Sequence, residues 1–144
     1  MKLLPLVILI LVALALLPGC GSGKYDERLL KAEELMDNRP DSSLHILDSL
    51  NPAALRQERD KALYALLLTM ARDKNHLDPG NDSLISTAVD YFSQNKDEER
   101  LARAYHYRGR VHQLNNNYSD ALLDYYNAKM TAVNTKIPYR RTRL

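Results

Sequence analysis

Apolar residues recur at intervals of three, four and seven positions from Asp26 onward, which is the spacing of one face of an α-helix. The first such stripe contains Leu29, Ala32, Leu35 and Met36. Prolines, asparagines and glycines separate the successive stripes, and no segment has the alternation typical of a strand. The pattern therefore predicts an all-α fold of six helices, at about 26–37, 41–50, 54–74, 82–94, 97–114 and 118–134.

The third predicted helix has an apolar face that widens until it covers nearly the whole circumference. Leu63, Leu66 and Met70 form its regular stripe, and Leu68 extends the apolar surface to the other side. A helix that is apolar all round is either buried in a protein or spans a membrane. Because the run from 62 to 68 is much shorter than the ~20 residues that a bilayer requires, we expect a buried helix.

The last two predicted helices carry a second pattern, in which small and aromatic residues recur. Within a unit of about 34 residues that begins at Ala102, these residues are Tyr105, Gly109, Tyr118, Ala121, Tyr125 and Ala128. Small side chains allow two helices to cross closely, and aromatic side chains fill the gaps beside the crossing. This pattern resembles a tetratricopeptide repeat, and the resemblance implies helical hairpins stacked in an α-solenoid, with Gly109 packed against Ala121.

The resemblance covers about 26–134 and is strongest in its last third. Arg108 stands where the family usually has leucine, and His112 replaces an aromatic residue. The two earlier hairpins follow the pattern more loosely, for example through Ala88 and Phe92 in the second. The arrangement looks like the N-terminal part of longer bacterial tetratricopeptide-repeat lipoproteins and membrane-bound regulators, which implies a module for protein interaction rather than an enzyme.

The first 19 residues have the architecture of a signal peptide: Lys2, an apolar run from Leu3 to Leu17, and the sequence LPGC at 17–20. The alternative, a retained membrane helix, is disfavoured because the run is shorter than ~20 residues. Cys20 is the single cysteine of the chain, and its context resembles the lipobox of bacterial lipoproteins. That resemblance implies cleavage before Cys20, attachment of lipid to its thiol and a flexible tether over 20–25.

The same resemblance implies a lipid-anchored protein of the bacterial cell envelope. Gly21 follows the cysteine, where the sorting signal for inner-membrane retention has aspartate. The comparison favours the outer membrane over the inner, and it leaves open which face of that membrane carries the protein.

The composition provides little for catalysis or for binding a cofactor. One cysteine excludes an intrachain disulfide and a cysteine-cluster metal site. His106 and His112 are six positions apart rather than the three or four that place two ligands on one helical face. The chain has no G-x-S-x-G elbow, and five glycines are too few for a phosphate-binding loop. We therefore predict no metal, no cofactor and no small-molecule substrate.

The net charge of +2 is unevenly distributed along the chain. Acidic residues outnumber basic ones over 20–135, whereas 135–144 contains Lys136, Arg140, Arg141 and Arg143 and no acid. We expect this basic tail to be disordered or to touch anionic headgroups. An exported protein does not meet nucleic acid, so the tail does not indicate a nucleic-acid interface.

In tetratricopeptide repeats one stripe of the first helix lines the ligand groove, and here it corresponds to Arg103, His106, Arg110 and Gln113. Their spacings of three, four and three place them on one helical face. Two arginines and a titratable histidine with no acid between them favour an acidic segment or a terminal carboxylate as the partner.

The last predicted helix has no following helix to cover it. We therefore expect Leu122, Tyr126 and Met130 to be exposed unless a partner covers them. The leading hypothesis is a membrane-tethered, non-catalytic scaffold that binds a protein or peptide. The alternatives are the sensory or assembly arm of a larger membrane-bound regulator and, with less support because the chain has no tryptophan, a glycan-capture lipoprotein.

Overall fold

A computed structural model of the protein describes residues 24–134. The predicted signal peptide, Cys20 and the basic tail 135–144 lie outside the described residues. Within 24–134 the chain forms six α-helices and no strand: α1 Glu27–Leu35, α2 Pro40–Asp48, α3 Glu58–Lys74, α4 Asp82–Gln94, α5 Glu98–Leu114 and α6 Tyr118–Asn134. The predicted all-α fold is confirmed.

Two of the differences between the predicted and observed helix starts have a clear local cause. Residues Pro52–Ala54 form a separate 3-10 turn, which Asn51 caps by accepting the amide of Ala53 at 3.1 Å, so α3 begins at Glu58 and not at 54. Pro40 is the first residue of α2 rather than its boundary, because a proline loses no hydrogen bond in the first turn of a helix.

The turns after α3, α4 and α5 share one backbone conformation. Each contains a single non-glycine residue in the left-handed region, namely His76, Lys96 and Asn116, with φ of 58°, 56° and 60°. The amide of the next residue donates to a carbonyl five positions back, as from Leu77 to Arg72 at 2.9 Å. This is the Schellman closure of a helix end, which reverses the chain in a few residues.

The helices stack in three antiparallel hairpins. The first helices of the hairpins, α1, α3 and α5, pack side by side, and α2 and α4 each pack against the first helix of their own hairpin and that of the next. α1, α3 and α5 begin at the same end of the fold. There, the Asp26 amide donates to Asp60 Oδ1 at 3.1 Å, and the Arg100 guanidinium lies 4.7 Å from the centre of the Tyr25 ring.

The core is built around α3, as the sequence predicts. Every residue from Ala62 to Ala71 is buried, and Phe92 of α4 and Val111 of α5 are fully buried beside it. No helix in the described part of the chain is long and apolar enough to cross a membrane.

The crossing of α5 and α6 has the predicted close approach. A Cβ atom added at Gly109 would lie 2.8 Å from Cε1 of Tyr125 and 3.2 Å from the carbonyl oxygen of Ala121. Ala121 and Ala128 are both buried, and Tyr105 is half-buried against the core. The predicted packing role of one aromatic residue needs correction: Tyr118 is 64% exposed, because it opens α6 on the side that no other described helix covers.

Replacing Gly109 by leucine should therefore lower the free energy of unfolding by about 1 to 3 kcal/mol through overpacking. Gly109→Ala is the matched control and should lose less, because the Tyr125 ring can swing away and alanine favours the helix by about 1 kcal/mol. Thermal melts measure both variants. A leucine variant that melts with the parent would contradict the close crossing.

Candidate functional site

The groove stripe, defined as Arg103, His106, Arg110 and Gln113, lies along one side of α5. Its arginines are not free charges. Nη1 of Arg103 donates to Glu33 Oε1 at 2.8 Å, and Nη2 of Arg110 donates to Asp73 Oδ1 at 2.9 Å. These acids come from α1 and α3, which the sequence of α5 does not reveal. The expectation that these two arginines have no acid near them is therefore wrong.

Glu33 is the centre of a larger ion cluster. Its carboxylate accepts hydrogen bonds from Nε and Nη2 of Arg100, at 3.1 and 2.7 Å, in addition to the bond from Arg103. Arg100 also donates to Asp97 at 2.8 Å. Burial by itself raises the pKa of Glu33, but the hydrogen bonds and charges of Arg100 and Arg103 outweigh it and hold that pKa below its ordinary value.

The Glu33 cluster joins the first hairpin directly to the third. Arg100 and Arg103 are 67 and 70 positions from Glu33 in sequence, and the bonds pass beside α3, which lies between α1 and α5. A ligand that approached this part of the groove stripe would have to displace charge-assisted hydrogen bonds already made within the protein. The cluster therefore favours a structural role for Arg103.

The other two members of the groove stripe are also engaged within the protein. The His106 ring lies 5.2 Å from the Tyr107 ring and 5.5 Å from the Tyr125 ring, centre to centre, and burial lowers the pKa of His106. Partial burial therefore disfavours the positively charged form of this imidazole. Gln113 is exposed, and its Oε1 accepts the hydroxyl of Tyr125 at 2.8 Å.

A buried ion pair between α5 and α6 is a feature that the sequence reasoning missed. Asp124 is 2% exposed and accepts two hydrogen bonds from Arg108, Nε at 2.8 Å and Nη2 at 2.7 Å. His112 Nε2 lies 3.5 Å from the same carboxylate, and Arg108 Nη1 reaches Ser86 Oγ of α4 at 3.4 Å.

The sequence contains a sign of this pair at the positions where α5 does not follow the repeat pattern. Arg108 and His112 are the two positions of α5 that depart from the repeat pattern which the sequence resembles, and both lie against Asp124. Asp124 in turn lies between Ala121 and Ala128 on the buried side of α6. An acid within the apolar stripe of one helix and a base within that of its neighbour indicate a buried pair.

The α6 apolar face is the main unoccupied surface of the described chain. Large side chains spaced three or four positions apart along α6 form this face: Tyr118, Leu122, Tyr126, Met130 and Val133. Leu123, next to Leu122, extends it. Leu122 is 71% exposed and Tyr126 is 58% exposed. The predicted exposure of Leu122, Tyr126 and Met130 is confirmed.

The second hairpin shows what normally covers such a face. Val89 follows Ala88 in α4 as Leu122 follows Ala121 in α6, and Val89 is only 5% exposed because α5 packs against α4. The α6 apolar face is therefore the surface that would receive a further helix. A contiguous exposed apolar patch of this kind marks an interaction site.

Residues 24–134 contain no group of three or more metal-ligating side chains that could hold an ion. Comparisons of the chain with protein-family models, curated proteins and solved structures found no match.

Proposed function

We propose that this protein is a non-catalytic scaffold of the tetratricopeptide-repeat type, tethered by lipid at Cys20 in the bacterial cell envelope, that binds a protein or peptide. The observation that carries the proposal is the α6 apolar face. Six large side chains lie side by side on the outer surface of one helix, where water is a poor solvent for them. Burying them against a partner supplies a favourable free energy of binding of about 25 cal/mol per Å² before ordering costs.

The α6 apolar face supports binding better than the groove stripe does. A partner on the α6 face displaces only water, whereas a partner at Arg103 or Arg110 must compete with Glu33 and Asp73. The groove stripe remains the second candidate surface, for an acidic partner.

A paired set of variants separates these two surfaces. The first is Leu122→Glu with Tyr126→Glu, which should leave the fold intact because both side chains already face water. The second is Arg103→Gln with Arg110→Gln on the groove stripe. A photo-crosslinking amino acid at Met130 in the full chain, expressed in cells, reports the partner of the α6 face.

We expect the α6 variant to lower the yield of the crosslinked product at least tenfold and the groove variant to leave it nearly unchanged. Circular dichroism checks that both variants remain helical. Crosslinking that survives the two glutamates would contradict the α6 face as the docking surface, and loss only in the glutamine variant would assign binding to the groove stripe.

The lipid anchor is tested separately at Cys20. Mass spectrometry of the protein purified from cell membranes should find an N-terminus at Cys20 that carries acyl chains. Cys20→Ser should stall processing or release the protein from the membrane, because no other cysteine can accept the lipid. An unmodified, uncleaved N-terminus would contradict the anchor and favour a retained helix.

The sensory or assembly arm of a larger membrane-bound regulator is the second candidate function. It is favoured by the likeness of the α6 apolar face to the covered face of α4, since a further hairpin of a longer polypeptide would pack there as α5 packs on α4. Immunoblotting of the native cells measures the size of the product and distinguishes the two.

A further inference from the structure

Four large apolar side chains form a narrow stripe along α6: Leu123, Tyr126, Met130 and Val133. Their spacings of three, four and three residues are those of the a and d positions in two heptads, by which one helix packs against another. Their exposed fractions are 57%, 58%, 37% and 62%. At 3.6 residues per turn the four positions fall within about a quarter of the helix circumference. This stripe is here called the α6 seam.

The α6 seam faces away from the rest of the described fold. Ala121, Ala128 and Ala132 are buried on the side of α6 that packs against α5. The helical period places the middle of the α6 seam nearly half the circumference away from these alanines. Leu122 lies to one side of the α6 seam, at the position whose counterpart in α4, Val89, is covered by α5. A further repeat helix would therefore cover Leu122 and leave much of the α6 seam exposed.

The second helices of the first two hairpins have polar residues where α6 has its seam. Ser43 of α2, Ala88 of α4 and Ala121 of α6 are equivalent small buried residues, and Ser43 and Ala121 contact the first helix of their own hairpin. The exposed positions two and five residues later are His45 and Asp48 in α2, Asp90 and Ser93 in α4, and Leu123 and Tyr126 in α6. A hairpin of this fold does not need apolar residues there. The α6 seam therefore indicates a contact that α6 alone makes.

The remaining described surface has no second apolar stripe that could pair with the α6 seam. Outside α6, the large exposed apolar side chains are three single leucines: Leu30 on α1, Leu77 in the turn after α3 and Leu114 at the end of α5. The other exposed residues of α1 are charged, as in the Lys31–Glu34 ion pair. Copies of the chain therefore cannot add head to tail through α6 and α1. Within 24–134, the surface that matches an α6 seam is the α6 seam of another copy.

We propose that the α6 seam is the contact of a two-fold symmetric dimer, in which α6 packs against α6 of a second copy of this chain. This inference rests on the proposed function, because it names the partner of the α6 apolar face. The seam itself carries no charge, and the charged residues beside it, Asp120 and Lys129, have opposite signs, so two identical copies do not repel each other there. A two-fold contact uses the same patch on both copies and closes after two.

The dimer would bring together two α5–α6 hairpins in a four-helix arrangement. The seam side chains of each α6 would fill the spaces between those of the other, as in helix bundles. The α6 helix has 17 residues and is about 25 Å long, which accommodates both heptads. The groove stripe on α5 would not take part in this contact, since its arginines bond to α1 and α3.

Photo-crosslinking between two tagged copies in cells tests the dimer. The full chain is expressed in two versions that carry different epitope tags, and an apolar photo-crosslinking amino acid replaces Met130 in one version. After irradiation, a denaturing gel is probed for both tags. The matched control carries the same amino acid at Ser93, the exposed α4 position that corresponds to Tyr126, and reports random collisions. We expect the yield of the two-tag product to be at least tenfold higher from Met130 than from Ser93.

Two neighbouring leucines provide the sharpest pair of variants. Leu122 and Leu123 are 71% and 57% exposed, but only Leu123 belongs to the α6 seam. Leu123→Glu in both versions should lower the yield of the two-tag product at least tenfold, whereas Leu122→Glu should lower it less than threefold. Leu77→Glu, at a leucine that is 53% exposed, should leave the yield unchanged. Circular dichroism checks that all three variants remain helical.

The composition of the product separates the dimer from the proposed function. A product of twice the mass of one chain that carries both tags, and that depends on Leu123 more than on Leu122, supports the dimer. A product at Met130 that contains a different protein and no second tag overturns the dimer and leaves the proposed function standing. Equal losses at 122 and 123, or equal yields from Met130 and Ser93, also overturn the dimer. If Met130 gives no protein product, both proposals are overturned.

Discussion

Replacing Arg108 by leucine should lower the free energy of unfolding by about 3 to 5 kcal/mol, because it leaves the buried carboxylate of Asp124 without its cationic partner. Asp124 is 2% exposed, and Arg108 supplies both of its short hydrogen bonds. Once Arg108 is removed, only His112, at 3.5 Å, remains near the carboxylate. A buried ion that loses its partner retains its full desolvation penalty.

The double variant Arg108→Leu with Asp124→Leu is the decisive control. It removes the pair completely and puts an apolar side chain at both positions. Replacing a buried ion pair by apolar residues is often neutral or stabilising, so we expect the double variant to be more stable than Arg108→Leu alone.

Urea denaturation of the parent, the two single variants and the double variant gives the coupling energy between positions 108 and 124. A single variant Arg108→Leu within about 1 kcal/mol of the parent would contradict a buried pair. A double variant that is no more stable than either single variant would show that the volume of the site, rather than its charge, controls stability.

Replacing Glu33 by glutamine should lower the free energy of unfolding by about 2 kcal/mol, because two partly buried arginines lose their shared counter-ion. The Glu33 side chain is 17% exposed, against 20% for Arg100 and 27% for Arg103. The loss should be smaller than at Arg108, since water still reaches every member of this cluster.

Glu33 should also make the free energy of unfolding depend on pH in the acid range. The pKa of Glu33 is lower in the folded protein than in the unfolded chain, so its carboxylate contributes its full stability above the ordinary pKa near 4.5. That contribution is lost as the pH falls through the lower folded pKa. As the pH falls from 5 toward acid denaturation, the free energy of unfolding should therefore decrease less in Glu33→Gln than in the parent.

Glu34→Gln is the matched control for both measurements. Glu34 is the next residue of α1, its side chain is 68% exposed, and its ion pair is with Lys31 of the same helix. Exposed pairs of this kind contribute about 0.5 kcal/mol or less. Equal effects at positions 33 and 34, in both stability and pH dependence, would contradict a stabilising bridge between the first and third hairpins.

The Glu33 cluster also bears on how the three hairpins unfold. Repeat arrays are held together mainly by contacts between neighbouring units. Here a direct ionic contact joins the first and third units, so removing Glu33 loosens both at once. If the cluster couples these hairpins, Glu33→Gln should broaden the unfolding transition as well as lower its midpoint.

The helices of this protein could be predicted from the sequence to within a few residues. Their apolar residues repeat with the helical period, and that period is a local property of the chain. The exposed face of α6 could be predicted for the same reason, since Leu122, Tyr126 and Met130 lie on one stripe of the last helix that the periodicity predicts. The predicted start of α3 was wrong because the 3-10 turn Pro52–Ala54 depends on a cap at Asn51 rather than on periodicity.

The close crossing at Gly109 was also predictable, because the repeat pattern that the sequence resembles places a small residue there against Ala121. The ionic contacts were not. Glu33 lies 70 positions from Arg103, and Asp73 lies 37 positions from Arg110, so each pair exists only after α1, α3 and α5 have packed side by side.

The sequence by itself therefore determined the helices, the order of the hairpins and the face of α6 that they leave open. Tertiary structure alone decided which charges are free. Helical periodicity acts over a few residues, whereas an ion pair depends on the distance between two groups in space. Packing brought Glu33 and Asp73 against Arg103 and Arg110, for which the sequence of α5 shows no partner. The same packing buried Asp124, whose carboxylate therefore needs a partner, and partly buried His106, whose pKa is lowered for that reason.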